Sequence, residues 1–527
     1  MTTPGAGMSP DATHRVGPSP EGADGADGAG RSPDGAAMPG GARAASEART
    51  AVPQRAVLVL PTTAEFDSRT YRIASALVAR GHDVTVLARW RPGLPEDERH
   101  PAGYRIRRVK VSAGAGLPLP GPLYRGISRW RQRRRERAGA SAAGPAASAA
   151  PAPSTGAPAP GTAAGAPATG TSRPATPPPD DGDGPVRARP RGLFGRARGL
   201  LGSAWRTAAI GLVVRSQTKA SRGIVTAADL YHGMAYMGIP VALSLAHRTG
   251  GRVVYDARDI YVDAGNLARL PRPARALIGR LERGWARKAD RVITVNRPYA
   301  EVMASRWGVE LPLIVLNCSY RFDPPSPRPR RFHEVLGLDP GTRVVLYQGG
   351  FSRDRGIEQL IEAIPLVPAA VLVLLGYGSL QAELERRAAD PALGGRLRIL
   401  PAVPPGDLLG WVASADVVAM PIQPTTLNHR LTTPNKLFEA MAAGIPVVAS
   451  DLPGMAGIVR ESGAGELVDP VDPVAIARAI TRILDGPADE REAYGRRALA
   501  AAHEAYNWER QMDLLLAEYG RLTGRPW

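Results

Sequence analysis

Apolar and polar positions divide the chain into short apolar runs alternating with amphipathic stretches. Ala56–Pro61 (AVLVLP) precedes SRTYRIASALVARG, where Tyr71, Ile73, Ala74, Leu77 and Val78 recur at helical spacing. Gly81 stops that helix, and His82–Ala88 reads as the next strand, so the chain opens on the strand–helix–strand unit of a parallel sheet. Further strands are expected at Tyr104–Val111, Ala228–Met234, Arg252–Arg258, Arg291–Asn296 and Leu313–Cys318. Helices are expected at GIPVALSLAHRTG, Arg272–Ala289 and RPYAEVMASRWG, which together make one Rossmann-like layer of about six strands.

A second series of the same kind follows the proline-rich stretch 320–341, which reads as a link. Strands RVVLYQGG, AVLVLLGYG, RLRILPAV and DVVAMPI alternate with helices IEQLIEAIPLV, SLQAELERRAA and PGDLLGWVASA. Next comes Thr432–Asp451, a helix–turn–strand with Thr433 as its cap, Pro434 in the first turn, Gly444 at the end and IPVVAS as a buried strand. The remainder is helical. The expected fold class is α/β, with two Rossmann-like domains facing across a cleft.

Composition changes the picture in two places. Residues 1–54 and the stretch Ala138–Gly184 are rich in Gly, Pro, Ala and Ser and lack apolar periodicity, so a disordered tail and a disordered insert are expected. The expected boundaries are tail 1–54, first domain 55–319 with insert 113–206, link 320–341, second domain 342–505 and closing helix 506–527. The single cysteine, Cys318, excludes an intrachain disulfide and any Cys-rich metal site. No signal-peptide pattern and no long uncharged apolar run is visible, so a cytoplasmic location is expected.

The net charge of +18 gathers around the insert. Arg125–Arg137 carries seven Arg against one Glu, and Arg187–Arg206 carries six Arg interleaved with Leu193, Phe194, Leu200, Leu201 and Trp205. Such stretches suit an anionic membrane surface at its inner face, or a merely solvated basic face. No specific nucleic-acid partner is expected, because the basic residues cluster around the insert.

Two places carry candidate chemistry. In YQGGFSRDRGIEQLIEA, a strand ends at Gly349–Gly350 and a helix opens near Gly356, with Arg353 and Arg355 in the loop between them. Glycines permit close backbone approach, and free N–H groups at a helix start favour a phosphate; a plain loop with surface arginines is the alternative. In the second, Asn435 and Lys436 open a helix and Glu439 follows one turn later on the same side. Amides and a lysine suit a diphosphate, and a carboxylate suits ribose hydroxyls; a Glu–Lys pair on a solvated face is the alternative. His232 sits near the carboxyl end of a strand. No metal-ligand pair, phosphate loop or nucleophile elbow is present, so no metal and no cofactor are expected.

Taken together, TTPNKLFEAMAAGIPVVASDLPGM, DSRTYRIASALVARGHDVTVLA, YHGM, VVYDARDIY, ADRVITVN, YQGGFSRDRGIEQLIEA and YNWERQMDLLLAEY resemble the retaining GT-B glycosyltransferases of glycosyltransferase family 4. The resemblance implies a UDP- or GDP-sugar co-substrate, with transfer to a glycan, lipid-linked or small-molecule acceptor. It places Glu439 on the ribose, the amides of Lys436 and Leu437 on the diphosphate beside Asn435, Gly349 and Gly350, and Val403 near the base. Arg355 replaces the family's Lys, with Arg353 beside it, and His232 would sit near the donor sugar. Asp67, Arg69, Arg258 and Asp259 would face the cleft from the first domain. The chain departs at Leu431, eight positions before Glu439, where the family has a Glu. His429 or Arg430 would then supply the sugar contacts. A nucleotide-sugar isomerase of the same fold and a degenerate binding protein stay open as rival readings.

Overall fold

The computed structural model describes residues 53–65, 67–111 and 208–527. The insert with its two basic stretches, and the tail through residue 52, lie outside the described residues. Gln54, assigned to the tail by composition, is buried, and its Nε2 donates to Pro526 O at 2.7 Å.

The N-terminal sheet comprises β1 (Arg55–Val59), β2 (Asp83–Arg89), β3 (Asp97–Arg99), β4 (Arg105–Val109), β5 (Leu230–Met234), β6 (Arg252–Ala257), β7 (Arg291–Thr294) and β8 (Leu313–Ile314). Among the described residues its order is β3-β4-β2-β1-β5-β6-β7-β8, parallel throughout except for β3 against β4. Helices α1 (Ser68–Ala79), α2 (208–221), α3 (Ala235–Thr249), α4 (Arg272–Ala286) and α5 (Arg297–Trp307) flank it. Seven strand runs, read as a layer of about six, were expected here. The extra edge strand, β3, is all polar (Asp-Glu-Arg) and is held by charge across the ladder, with Arg105 Nε donating to Asp97 Oδ1 at 2.7 Å. No apolar alternation announces such a strand.

The C-terminal sheet comprises β9 (Arg343–Gly350), β10 (Ala370–Tyr377), β11 (Leu397–Pro401), β12 (Val417–Met420), β13 (Val447–Ser450) and β14 (Gly465–Val468), in the all-parallel order β11-β10-β9-β12-β13-β14. Its helices are α6 (Arg331–Leu336), α7 (Ile357–Ala363), α8 (Gln381–Ala388), α9 (Leu408–Val412), α10 (Leu427–Leu431), α11 (Asn435–Ala442), α12 (Pro453–Ser462), α13 (Pro473–Asp485), α14 (Ala488–Glu504) and α15 (Trp508–Thr523). Strands β12 and β13 are buried on both faces, which is why they read as continuous apolar runs rather than alternating ones. The link contains a short helix, α6, whose Phe332 is fully buried against Trp411. Helix α15 starts on the Asn507 cap and sends Trp508, Met512, Leu515 and Tyr519 into the N-terminal core with Leu58, Ile73 and Met234.

Strand order reverses between β1 and β5 in the first sheet and between β9 and β12 in the second. Ligands of open α/β sheets bind outside the carboxyl ends at such points. At the second one the loop after β9 lies so close to β12 that a side chain at Gly356 would run into the Pro421 carbonyl. Gly356 also has φ +81°, so glycine is required there twice over.

Candidate functional site

The C-terminal half of the site grows from β9 and α11. Thr433 is not the cap of α11. Its hydroxyl donates to Gly454 O, while Pro434 occupies the cap position without a side-chain hydrogen bond. No side-chain cap therefore covers the amides at the helix start. Lys436 is buried, with Nζ 3.6 Å from the centre of the Tyr347 ring and next to Gly349. Burial first, and the Arg355 charge second, bring its ammonium down to about 7, against the pull of Glu439. Arg355 also bears on His429 and Asp259, so it stands among the polar groups of the cleft. Arg353, expected beside it in the same role, is exposed and faces Glu383 at 4.0 Å. Val403 lies beyond β11, half-buried against the core below that sheet edge.

Glu439 points back at β9, where Gln348 Nε2 donates to its Oε2 at 3.3 Å. Burial raises its carboxyl, and the charge that opposes this most is Arg72 of α1, on the other domain. Arg72 Nη1 also donates to Asn317 Oδ1 at 3.1 Å, and Asn317 Nδ2 donates to Asn435 Oδ1 at 2.7 Å. A polar chain thus crosses the cleft from α1 to the start of α11. Gln348, Arg72 and Asn317 were not singled out in sequence. The available signal was Arg69 and Arg72 three apart on one helix, beside an otherwise apolar stripe.

A second crossing runs through α10. Asn428 is buried; its Oδ1 accepts from Ile260 N at 2.8 Å and from Tyr299 Oη at 2.7 Å, and its Nδ2 donates to Asp259 Oδ1 at 3.0 Å. Asn296 Nδ2 donates to Leu431 O at 2.7 Å. Leu427 and Leu431 pack into the N-terminal core with Tyr299, Met303 and Trp307. Leu431 therefore fills an apolar site between the domains. It is a hydrophobic peg from one domain into the other. His429, one of the two expected substitutes, is half-buried, with its Nδ1 2.9 Å from Thr425 Oγ1; Arg430 is exposed. Asn428→Ala would take the partner from the Ile260 amide and from Asp259 Oδ1, while Tyr299 Oη keeps the backbone carbonyl of residue 428. Urea denaturation is expected to show a loss of about 3 kcal/mol, and a loss below about 0.5 kcal/mol would refute the latch.

Residues 342–486 match the family model described as glycosyl transferases group 1. The chain carries a glycosyl transferases group 1 domain on a GT-B fold. A curated relative, the D-inositol 3-phosphate glycosyltransferase of Xylanimonas cellulosilytica, is 29% identical over 49% of this chain and 62% of its own length. The match thus spans less than two thirds of that relative. Among solved structures, a sucrose-phosphate synthase from Thermosynechococcus elongatus superimposes with a TM-score of 0.58 at 20% identity, covering 89% of this chain and 99% of that one. The Anabaena protein Alr3699/HepE, solved with UDP and glucose, superimposes with a TM-score of 0.56 at 14% identity, covering 89% and 100%.

In the N-terminal half of this GT-B fold, the candidate residues divide between cleft and core. Asp67 caps α1 and accepts from Arg258 Nη1 through both oxygens, at 2.9 and 2.8 Å. Burial works against the Asp67 anion, but Arg258 outweighs it and the carboxyl stays below its usual range. Arg69 and His232 do not reach the cleft. Arg69 Nε donates to Asp256 Oδ2 at 2.6 Å, with side-chain exposures of 1% and 0%. His232 is fully buried between Asp256 Oδ2, 3.3 Å from its Nε2, and the Tyr519 hydroxyl at its Nδ1. Asp256 can only accept, and burial keeps the imidazole neutral, so Nε2 carries the proton and Tyr519 donates to Nδ1. The expectation that His232 faces a donor sugar is corrected: the ring ties α15 to the sheet. Among the described residues, no group of three or more His, Cys, Asp or Glu side chains is placed to hold a metal ion.

Proposed function

We propose that the chain transfers a sugar from a nucleotide diphosphate sugar to an acceptor hydroxyl, with retention at the anomeric carbon. The observation that carries the reading is Lys436, buried and donating no hydrogen bond among the described residues, between the glycine loop and the open start of α11. A buried ammonium without an acceptor is costly unless an anion joins it. The diphosphate of a UDP- or GDP-sugar is that anion, with Arg355 on its other side and Glu439 one turn deeper for the ribose hydroxyls. The anomeric carbon–oxygen bond to the diphosphate breaks, the bond to the acceptor oxygen forms on the same face, and the acceptor proton passes to the departing diphosphate. The protein's part is to position both reactants and to neutralise the departing charge. The family model and the activity that names the Xylanimonas relative support sugar transfer in general. The cytoplasmic location, and contact of 125–137 and 187–206 with the inner membrane face, belong to the same proposal. No described helix is long and apolar enough to cross a membrane.

Calorimetry of the full chain against UDP-glucose, UDP-N-acetylglucosamine, GDP-mannose and ADP-glucose tests the reading. Tight binding of at least one is expected, and binding of none would overturn it. Lys436 adds a pH signature. Its ammonium titrates near 7 when the site is free and is held charged by a bound diphosphate, so binding takes up a proton above pH 7. Affinity is then expected to fall by up to about tenfold per pH unit above 7, and to be flat there in Lys436→Met. The same slope in both proteins would remove Lys436 from the site.

A further inference from the structure

We infer that the hollow between α4 and α5 binds a small zwitterion, its ammonium on Glu282 at the floor and its anionic end on Arg280 and Arg283 at the rim. The hollow encloses about 280 Å³, the space of roughly nine water molecules, and none of the residues proposed to hold the donor lines it. Val262, Val302 and Met303 give it apolar walls. Gly279, in the middle of α4, lines it as well. A β-carbon there would meet only Val262 Cγ1, at an ordinary 3.7 Å, so packing does not require glycine. Glycine weakens a helix interior, and its effect at this position is to leave the hollow open.

The floor is half-satisfied. Glu282 is 2% exposed, and its Oε1 accepts from Tyr255 Oη at 2.7 Å. Its Oε2 has no partner among the described residues and is not sealed from solvent; the hollow is where Glu282 meets it. A buried carboxylate with one unsatisfied oxygen is costly until a donor reaches it, and an ammonium is a donor that also brings the opposite charge. At the rim, Arg280 and Arg283 are exposed and have no carboxylate partner among the described residues. Arg306, the third guanidinium of the lining, is already paired with Asp263 Oδ2 at 2.7 Å. Two guanidinium groups are thus left for an incoming anion. A bare amine would have to pass those arginines uncompensated, and a bare anion would meet the floor carboxylate. One molecule that carries both charges, with an apolar stem between them, fits floor, walls and rim together.

The floor also gives the site a pH signature. Burial raises the Glu282 carboxyl to about 7, against the Tyr255 hydrogen bond and the Arg306 charge. Tyr261 on the neighbouring loop and Tyr236 on α3 also face it, both uncharged because burial raises their hydroxyls. Below pH 7 the free carboxyl is protonated, and an ammonium binds only by expelling that proton. Affinity for the zwitterion is therefore expected to fall by about tenfold per pH unit below 7 and to be level just above it.

The test is calorimetry of the full chain with 3-aminopropanoate, 4-aminobutanoate and 6-aminohexanoate, with butylamine and butanoate as the two separate halves. At least one zwitterion is expected to bind about tenfold or more tightly than either half. Glu282→Gln keeps an acceptor for Tyr255 and should weaken that binding at least about tenfold and abolish its pH slope. Arg280→Ala/Arg283→Ala should bring the zwitterion down to the level of butylamine. Gly279→Leu fills the hollow without touching a charge and should remove binding altogether. Nucleotide-sugar binding should be the same in all three variants. Equal binding of the zwitterions and of either half, or zwitterion binding untouched by Gly279→Leu, would overturn the inference. So would glucose binding that Gly279→Leu blocks, since a neutral polyol would then be the ligand. If a zwitterion binds as expected and no nucleotide sugar does, the hollow stands and sugar transfer falls; the reverse result removes the hollow alone.

Discussion

Arg355→Ala is expected to lower kcat/KM for nucleotide-sugar turnover by about a thousandfold, with the fold retained by circular dichroism. Arg355 is half-buried among Lys436, His429 and Asp259, where a charge placed against a leaving diphosphate acts in a medium with little water. The loss should fall mainly on kcat, because charge builds on the diphosphate only as the sugar departs. Arg355→Lys should recover part of it, since the charge stays and only the bidentate reach is lost. Glu439→Ala should instead act mostly through KM, by about ten- to a hundredfold, as ribose hydrogen bonds to a carboxylate are removed. Activity within threefold of the unsubstituted protein in Arg355→Ala would end the assignment.

The second large effect concerns stability. Arg69→Ala is expected to cost about 3–5 kcal/mol by urea denaturation, because it strands the fully buried Asp256 carboxylate. The double variant Arg69→Met/Asp256→Leu should regain at least half of that loss, since apolar replacements leave no charge behind. A single variant within about 1 kcal/mol of the unsubstituted protein would show that the pair contributes nothing. Acid should act in the same place. His232 is held below its ordinary value by burial, so the unfolded chain binds its proton first and stability is lost as pH falls below about 6.5. Asp256 is likewise depressed, because Arg69 and His232 outweigh its burial, and it adds a further loss below about 4.

Much of the fold was legible because parallel strands buried on both faces leave apolar runs that stand out from amphipathic helices. LYHGM, RVVYDA and VVAS all lie where their composition placed them. Elements that carry little apolar patterning were not legible: β3 is held by arginine–aspartate pairing, and α12 and β14 are short and interrupted by glycine. On the C-terminal side of the site, the neighbourhood of Gly349, Arg355, Lys436 and Glu439 follows from two local stretches, so spacing could reach it. His232 and Arg69 were misplaced for a different reason. Whether a strand residue turns to the cleft or to the core depends on which helix covers that face, and here the cover is α15, nearly three hundred residues away in sequence. Asn428 was missed because its partners, Ile260, Tyr299 and Asp259, belong to the other domain.

Each half of the molecule keeps part of its core on the other half's stretch of chain. Leu427 and Leu431 leave the second sheet to finish the first core on one face, and Trp508, Met512 and Tyr519 return to finish it on the opposite face. Cutting the gene at the link would therefore yield two fragments, each with a greasy wound: an N-terminal piece without its cover and a C-terminal piece with its pegs in water. Evolution can exchange either half only together with the matching pegs, so α10 and α15 mark the seams along which functional chimeras of this fold have to be joined.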